Sequence, residues 1–372
     1  MRIALVHDYL NQYGGAERVL EAFCEIFPDA PIFTLIYAPE KFYKGAIFTK
    51  RKIKTSFLQR VPFAKSKHRL FPLLMPIAVE HFDLSDYDLI LSDSASFAKG
   101  VITKPESLHI CYCHTPPRYL WDDCHKYIEE FGLPKIIRKL IPLFTSYLRV
   151  WDREAAMRVD KFLCNSKFVA RRIAKYYKRK AVVIYPPVDT DTFFISNESR
   201  GSYFLMVGRL LAYKRFDIAV KTFNKLGEPL KIIGDGPERK RLEKIAKKNI
   251  EFLGELYEKD LARFYQGCKA LIFPQEEDFG IVPLEAMACG KPVIAYRGGG
   301  ALESIKEGET GIFFNEQTPK ALIQAVENFQ SKNFNPEKIR RHALKFSKEK
   351  FKREIKNFVE KSWQEHIENL KI

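Results

Sequence analysis

The chain has 372 residues and a formal net charge of +16, and 46% of its residues are hydrophobic, which suits a globular protein of one large or two medium domains. No apolar run in it reaches the roughly 18 residues that a membrane-spanning helix needs. The start, MRIALVHDYL, lacks the basic region and cleavage site of a signal peptide and is predicted to be a strand. The seven cysteines are scattered and odd in number, which fits free thiols in a reducing cytoplasm better than a disulfide framework.

Much of the positive charge lies in one segment. Lys41 to Arg69 holds ten lysines and arginines and no acidic residue, and the uncharged run from Leu70 to Val79 follows it. A basic segment beside an apolar one can dock on an anionic membrane, so Lys41–Val79 is a candidate membrane contact. The alternative is a solvated loop followed by a core helix. The charge is not accompanied by a helix-turn-helix, zinc-finger or RRM pattern, so a nucleic-acid partner is not predicted.

Along the chain, short β-branched runs alternate with amphipathic helical stretches. The first half is predicted to hold helices at residues 14–27 and 168–177 and strands at 2–9, 88–93, 109–114, 161–166 and 181–188. In the second half, helical runs separate the predicted strands YFLMVGRL, LKIIGDGP, IEFLGEL, KALIFPQ and KPVIAYRGGG. Strands separated by helices predict an α/β fold with parallel sheets.

The junction from Tyr185 to Ser202 is rich in Pro, Asp and Ser and has no hydrophobic period, so it is predicted to link two domains. We expect Rossmann-like domains at residues 1–190 and 191–355, with a cleft between them and a charged helix at 356–372 that packs back toward the first domain. Ligands of open α/β sheets bind outside the carboxyl ends of the strands, which is where each motif below falls.

The first motif, GGAER, lies between the first strand and the first helix. Gly14 and Gly15 allow a ligand to approach the backbone closely, and a helix N-terminus favours an anion. The motif lacks the spacing of a dinucleotide fingerprint, so a plain tight turn is the alternative.

Two motifs follow strands of the second half. Arg209 ends one strand and Lys214 lies five residues later, and two such cations can hold a diphosphate, with surface solvation as the alternative. The next strand ends in the turn Gly234, Asp235, Gly236, which can admit a base or ribose edge or can be structural only.

The stretch EDFGIVPLE places Glu277 and Glu285 around a predicted helix start. Pro283 fits the first helical position, which puts Glu285 near the third and the N–H groups of Ile281 and Val282 at an anion-binding N-terminus. The two glutamates suit hydrogen bonds from ligand hydroxyls while the two cations balance their charge. A capping role for Glu285 is the alternative.

Two patterns resemble metal sites, and each is better explained otherwise. His109, Cys111, Cys113 and His114 match no common zinc spacing, and His114, followed by a Thr-Pro-Pro turn, is a candidate substrate contact. Asp189–Asp191 is similar to a metal-binding D-x-D, but its place in the linker favours a turn and cap role. The sequence therefore predicts no metal and no cofactor.

Together these motifs resemble the GT4 family of retaining, nucleotide-sugar-dependent glycosyltransferases with the GT-B fold. FPQEEDFGIVPLEAMACGKPVIAYRGGGALE looks like the family's E-x7-E region, VGRLLAYKRFD its Arg-x4-Lys clamp, IGDGPERKRLE its nucleotide-side turn and GGAERV its N-terminal loop. CYCHTPPRYLWD resembles bacterial mannosyltransferases of O-antigen and exopolysaccharide assembly. The resemblance covers nearly the whole chain, although Pro186-Pro187 replaces the Asn-Gly of many relatives.

The resemblance implies that the first domain binds the acceptor and the second the nucleotide sugar. Its implied catalytic residues are Glu277 and His114 on the transferred sugar, and Arg209 and Lys214 on the leaving nucleoside diphosphate. Its implied donor-binding residues are Gly14, Gly15, Gly234, Asp235, Gly236, Phe279, Gly280, Ile281, Val282 and Glu285, the last on the ribose hydroxyls.

The implied reaction is transfer of a hexose, with mannose from GDP-mannose preferred, to a glycan on a lipid in cell-surface polysaccharide synthesis. The family has no carboxylate nucleophile at a matching position, which favours retention by front-face return without a metal. The implied location is the cytoplasm, peripheral at the inner face of the plasma membrane. Alternatives are a UDP-sugar donor, a nucleotide-sugar epimerase or phosphorylase, and a basic binding protein without turnover.

Overall fold

The computed structural model describes residues 1–42, 46–124, 135–196, 201–256 and 258–371. The chain divides into two compact units. The first unit comprises Met1–Pro186 and Phe351–Ile372, and the second comprises Pro187–Lys350. Each unit has its own parallel sheet and its own hydrophobic core.

The first unit is built on a parallel sheet that has seven strands within the described residues, in the order β3-β2-β1-β4-β5-β6-β7. The register pairs His7, the last residue of the first strand, with Asp93 near the end of the fourth. The strands are β1 Ile3–His7, β2 Ile32–Thr34, β3 Ile53–Thr55, β4 Leu89–Ser94, β5 Leu108–Cys113, β6 Lys161–Cys164 and β7 Ala181–Val183.

The helices of the first unit cover the sheet with apolar faces. Phe23 of the first helix packs edge-on against Tyr112 of β5, with ring centroids 5.9 Å apart. Ser166 caps the fifth helix, since its hydroxyl accepts a 3.0 Å hydrogen bond from the N–H of Val169. These helices are α1 Gly15–Ile26, α2 Ala64–Lys67, α3 Met75–Glu80, α4 Lys135–Met157 and α5 Lys167–Tyr176.

The basic segment and the apolar run after it fold into short elements of the first unit. Met75, Ala78 and Val79 of α3 are buried, so this part of the run is a core helix. The ring of His68 lies 4.5 Å from the ring of Tyr9, which places part of the segment against the loop after β1. Across the described stretches of the chain, none of the helices has both the length and the hydropathy to cross a bilayer.

The second unit has the same type of sheet. Counted over its described residues, six parallel strands follow the order β10-β9-β8-β11-β12-β13. The strands are β8 Tyr203–Val207, β9 Leu230–Ile233, β10 Ile250–Gly254, β11 Cys268–Phe273, β12 Val293–Tyr296 and β13 Gly311–Phe314. The helices are α6 Phe216–Leu226, α7 Arg239–Ile245, α8 Glu258–Gly267, α9 Ile281–Ala288, α10 Ala301–Ser304, α11 Pro319–Gln330 and α12 Pro336–Ala343.

The last helix, α13 Lys348–Leu370, is charged, as its sequence predicts. Phe351, Ile355 and Val359 on one of its faces belong to the core of the first unit. The ring of Phe351 stacks on that of Phe23 with centroids 5.9 Å apart, and His366 Nε2 lies 2.9 Å from the backbone oxygen of Glu106. The C-terminal helix α13 thus completes the hydrophobic core of the first unit.

Candidate active site

Both sheets reverse their winding direction beside their first strand, and open α/β sheets bind ligands at such switch points. The reversal falls between β1 and β4 in the first unit and between β8 and β11 in the second. The predicted site residues lie on the loops that follow β1, β5, β8, β9 and β11, at the carboxyl ends of these strands.

In the first unit, Gly14 is the N-cap of α1 and Gly15 is its first residue. The backbone of Gly14 is extended, with φ −160° and ψ −155°, so its conformation alone does not demand glycine. A Cβ added at Gly14 would lie 3.3 Å from Oε2 of Glu17. Because neither glycine has a Cβ atom, an anion can approach the backbone N–H groups at the start of α1 closely.

His114, which directly follows β5, belongs to a buried chain of ionisable groups. Its Nε2 lies 2.5 Å from Oδ1 of Asp93, and Oδ2 of Asp93 lies 2.8 Å from Nδ1 of His7. The other ring nitrogen of His7 is 3.7 Å from Oε1 of Glu17 on α1. The His114 side chain is 13% exposed, whereas the other three are buried. This series of paired side chains therefore reaches the surface at His114.

The protonation states of these paired side chains are set by their contacts with one another. Burial alone would lower the pKa of His7, but the hydrogen bonds and charges of Asp93 and Glu17 raise it to about 10. Burial would raise the pKa of Asp93, yet His114 and His7 hold it below its ordinary value. At neutral pH, Asp93 is thus a carboxylate and His7 an imidazolium.

The loop after His114 is held by buried polar groups. Asn165 Nδ2 donates a 2.9 Å hydrogen bond to the backbone oxygen of His114, and Arg172 donates one of 3.1 Å to that of Pro116. Farther on, Trp121 Nε1 donates to Oδ2 of Asp152 at 2.8 Å. These bonds tie the loop to neighbouring helices, so the backbone around His114 is well supported.

In the second unit the structure brings Lys214 and Glu277 together. Lys214 Nζ forms an ion pair with Glu277 Oε1, which also accepts a 3.3 Å hydrogen bond from Gln275 Nε2. The two charged side chains are 12% and 17% exposed. Burial would lower the pKa of Lys214, but the charge of Glu277 raises it above its ordinary value. Arg209 is exposed, and its positive charge acts to lower the pKa of Lys214.

Glycines let the loops after β8 and β9 cross closely. Gly234 has φ +128°, and a Cβ there would lie 2.0 Å from the backbone oxygen of Gly208. Gly236 has φ +158°, and a Cβ there would lie 2.6 Å from the backbone oxygen of Leu210. Asp235 between them is exposed, and its Oδ1 accepts a 2.6 Å hydrogen bond from the N–H of Gly236. Backbone packing alone is therefore sufficient to require both glycines.

The start of α9 differs from the prediction. Gly280, with φ +85°, is the N-cap and Ile281 the first residue, so Pro283 occupies the third position and Glu285 the fifth. The predicted first position for Pro283 was wrong because proline is tolerated throughout a first turn, where N–H groups have no helical partner. The N–H groups of Ile281 and Val282 remain at the helix start, as predicted. Glu285 lies beyond the first turn, which excludes the capping alternative.

Two predicted donor-binding side chains point into the protein. Glu285 is 1% exposed, and Tyr265 donates a 2.7 Å hydrogen bond from its hydroxyl to Oε2 of Glu285. Phe279 is buried, with its ring 5.9 Å from that of Phe346. Phe279 thus offers its backbone, not its ring, to a ligand of this loop.

Two family models match the chain. The model described as "Glycosyltransferase Family 4" matches residues 13–192, and the model described as "Glycosyl transferases group 1" matches residues 188–349. The chain belongs to the GT4 glycosyltransferase family. The matched stretches include all the catalytic and donor-binding residues that the sequence predicts.

Several curated proteins are similar to this GT4 chain. An uncharacterized glycosyltransferase of Methanocaldococcus jannaschii is 31% identical over 58% of this chain and 63% of its own length. An alpha-1,3/1,6-mannosyltransferase of Dictyostelium discoideum is 25% identical over 72% of each. A sulfoquinovosyl transferase of Arabidopsis thaliana is 37% identical over 74% of this chain and 55% of its own length. The archaeal and plant alignments span less than two thirds of those relatives.

Solved structures share the fold. HepE of Anabaena, in complex with UDP, has a TM-score of 0.70 at 18% identity and covers 97% of this chain and 100% of its own. Sucrose-phosphate synthase of Thermosynechococcus elongatus has a TM-score of 0.75 at 15% identity and covers 98% and 100%. At such identities the likeness shows the fold alone, and it confirms the predicted GT-B class with two Rossmann-like units.

Neither metal-like pattern has the geometry of a metal site. His109 Nε2 lies 2.8 Å from the hydroxyl of Ser92. Asp189 Oδ1 accepts hydrogen bonds from the N–H groups of Asp191 and Thr192 at 3.1 and 3.0 Å, which confirms its turn and cap role. In the portions of the chain that the structure describes, no group of three or more His, Cys, Asp or Glu side chains could hold an ion.

Sequence reasoning missed the partners of the predicted residues. Asp93 pairs with His114, His7 pairs with Asp93 and Glu17 lies beside His7, while Gln275 and Tyr265 bind the two glutamates. A signal was present for His7 and Asp93, because they are polar residues at the ends of predicted apolar strands. No local pattern marks Tyr265 as a partner of Glu285.

Proposed function

We propose that this GT4 protein is a retaining glycosyltransferase that moves a hexose from a nucleotide sugar to a glycan without a metal. The observation that carries the proposal is the ion pair between Lys214 and Glu277 in the loops beside the β8–β11 switch point. It sets a cation suited to a diphosphate next to a carboxylate suited to sugar hydroxyls.

Neutralisation of the leaving group is the main electrostatic task. A nucleoside diphosphate gains negative charge as its bond to the sugar breaks, and fixed donors aimed at that charge accelerate such steps. Arg209, Lys214 and the N–H groups of Ile281 and Val282 supply positive potential at this end of the sheet. These groups take the place of a metal ion in the proposed mechanism.

Glu277 is proposed to bind the sugar and not to attack it. Its Oε1 is engaged by Lys214 and Gln275, and Oε2 keeps acceptor capacity for hydroxyls. In the front-face return that we propose, the bond from the anomeric carbon to the phosphate oxygen breaks. The bond to the acceptor oxygen forms on the same face, and the acceptor proton passes to the leaving phosphate. The configuration is retained.

The proposed donor is GDP-mannose. The motif around His114 and the activity of the mannosyltransferase relative favour mannose. The UDP complex of the structural neighbour HepE supports a UDP-sugar as the alternative.

A donor panel tests both levels of this proposal. Nucleotide release from GDP-mannose, UDP-glucose, UDP-galactose and ADP-glucose would be measured with the full chain, together with thermal shifts by GDP, UDP and ADP. We expect GDP to raise the melting temperature most and GDP-mannose to release nucleotide fastest. A preference for UDP would overturn the donor assignment, and absence of any nucleotide effect would overturn the transferase proposal.

The acceptor is proposed to be a glycan on a lipid, reached from the cytoplasmic face of the plasma membrane. Several apolar side chains of α4, among them Leu143, Tyr147 and Val150, are exposed. Trp151 of α4 donates a 2.8 Å hydrogen bond to Glu80 of α3, the helix that ends the apolar run after the basic segment. Exposed apolar residues near a cationic segment suit an anionic bilayer.

Vesicle sedimentation tests the membrane part separately. We expect the protein to pellet with vesicles that contain anionic lipid and to remain in solution with neutral ones. Lys65→Glu with Lys67→Glu should release it, whereas Lys240→Glu on an exposed face of α7 should have little effect. Equal sedimentation of all three proteins would exclude the segment as the membrane contact.

A further inference from the structure

The structure assigns Asp93 and His7 as positioning residues for His114, in a buried chain of alternating charge that Glu17 completes. Asp93 holds His114 with the proton on Nε2, and the imidazolium of His7 compensates the buried carboxylate. The assignment rests on the proposed function only for the statement that His114 touches the transferred sugar.

The geometry and the raised pKa of His7 together favour one arrangement of protons. A carboxylate only accepts hydrogen bonds, so both ring nitrogens that face Asp93 must donate to it. The second nitrogen of His7 lies 3.7 Å from Oε1 of Glu17, and the nearby carboxylates raise the pKa of His7 to about 10, so its ring is doubly protonated at neutral pH. His114 then carries a proton on Nε2, and in its neutral form Nδ1 has a lone pair.

Other ionisable groups near Asp93 do not disturb this arrangement. Burial raises the pKa of Cys24 to about 12 and that of Tyr112 well above its ordinary value, so both are neutral at physiological pH. Within the described residues, Nδ1 of His114 forms no hydrogen bond. With its proton on Nε2, the neutral form of His114 has Nδ1 available to accept a hydrogen bond from a hydroxyl group, which is the class of group that a sugar offers.

A second buried histidine in the same sheet shows that such a chain of charges is not a general requirement for burial. His109 of β5 lies 2.8 Å from the hydroxyl of Ser92, a neutral partner. Burial lowers the pKa of His109 to about 3, so its ring is uncharged. Burying the charged triad at His7 costs desolvation that the neutral His109 avoids, which indicates a role beyond packing.

Histidine ¹⁵N NMR on the full chain tests the assignment without any substrate. His7→Gln and His114→Gln identify the two sets of signals. At about pH 8.5 we expect His7 to be doubly protonated and His114 to carry a proton on Nε2. A neutral His7, or a His114 without a proton on Nε2, would overturn the assignment.

Variants separate positioning from packing. Asp93→Asn should make His7 neutral at that pH and abolish the preference of His114 for Nε2–H. Glu17→Gln, a milder change should Asp93→Asn fail to fold, should lower the pH at which His7 loses its proton. His109→Gln, a matched buried control, should change neither signal. An unchanged His7 midpoint in Glu17→Gln would contradict the chain of charges.

With an active donor, kinetics add a readout of positioning. We expect Asp93→Asn to lower kcat about 10- to 100-fold, with a smaller change in KM, because a misplaced His114 loses contacts in the transition state. His109→Gln should stay within about twofold of the parent protein in kcat. The NMR result stands without turnover, so failure of the proposed function and failure of this inference are distinguishable.

Discussion

The two switch points hold their functional residues by different means. Beside β1 and β4, the side chains of His7, Asp93 and Glu17 are buried and paired with one another. Beside β8 and β11, glycine backbones pack the loops closely, and the Lys214–Glu277 pair keeps 12% and 17% of its side-chain surface. The switch point beside β1 and β4 is organised by buried charge. The switch point beside β8 and β11 is organised by close packing of backbone and a partly exposed ion pair.

This difference bears on what each point can do. Removing one member of a buried charged set leaves another charge unpaired, which is strongly unfavourable, so the first point resists rearrangement. The Lys214–Glu277 pair keeps some exposed surface, so a ligand can reach it and exchange partners with it. We therefore expect the first point to present a fixed imidazole and the second to re-pair its charges when a donor binds.

The largest effect is expected for Glu277→Ala. Loss of the sugar-binding carboxylate should lower kcat by about 10²–10³, the range for removal of one preorganised transition-state contact. Nucleoside diphosphate binding should persist because Lys214 is then unpaired. Steady-state kinetics and thermal shift measure the two effects, with Glu276→Ala at the exposed neighbouring position as control. Unchanged turnover would remove Glu277 from its proposed role.

The next effect concerns the glycine crossing. Gly234→Ala should lower the stability of the second unit by about 3 kcal/mol or more, since it adds a steric clash to left-handed strain. Gly227→Ala, at φ +74° with nothing within 4 Å of the added Cβ, carries the strain alone and should cost about 1 kcal/mol. Urea unfolding compares the two variants. Equal losses would show that the close approach does not matter.

The buried charges predict a pH dependence. The pKa of His7 is raised to about 10 in the folded protein, so its stabilising contribution is complete below the ordinary pKa of about 6.5 and disappears as pH rises through about 10. Melting temperatures of the parent protein and His7→Gln, measured from pH 6 to 10, should therefore converge as pH rises. A constant difference would contradict a protonated His7.

The smallest effect is expected at Tyr265→Phe. This change removes one hydrogen bond to the buried Glu285 and should cost about 1 kcal/mol of stability. If Glu285 holds the ribose, nucleoside diphosphate binding should weaken by less than about tenfold, because the carboxylate remains in place. Thermal unfolding and calorimetric titration measure the two effects. A loss of stability as large as that expected for Gly234→Ala would show that the Tyr265 hydroxyl is essential to the β8–β11 switch point.

Local patterns predicted most of the fold. Alternating strand and helix periods placed ten of the thirteen strands of the described residues, but the short strands β2, β3 and β13 were missed. The start of α9 was misplaced because Pro283 was taken as the first helical residue. The helix actually begins after Gly280, whose positive φ sets the entry of the chain.

The candidate site was predicted residue by residue but without its partners. Arg209, Lys214 and Glu277 were recognised from their places after strands. Their spatial neighbours were identified only from the structure. That Glu277 pairs with Lys214, 63 positions away in the chain, follows from the neighbouring positions of β8 and β11. Such neighbours are set by sheet order, which no local period encodes.

By itself, the sequence determined the α/β class, the two units and the loops that carry polar residues, because each depends on local periodicity and residue type. The tertiary structure decided which side chains meet. Asp93 reaches both His7 and His114 only because β1, β4 and β5 are adjacent in the sheet. Ionisation of these groups was also decided there, since burial and carboxylate partners, not composition, set their pKa values.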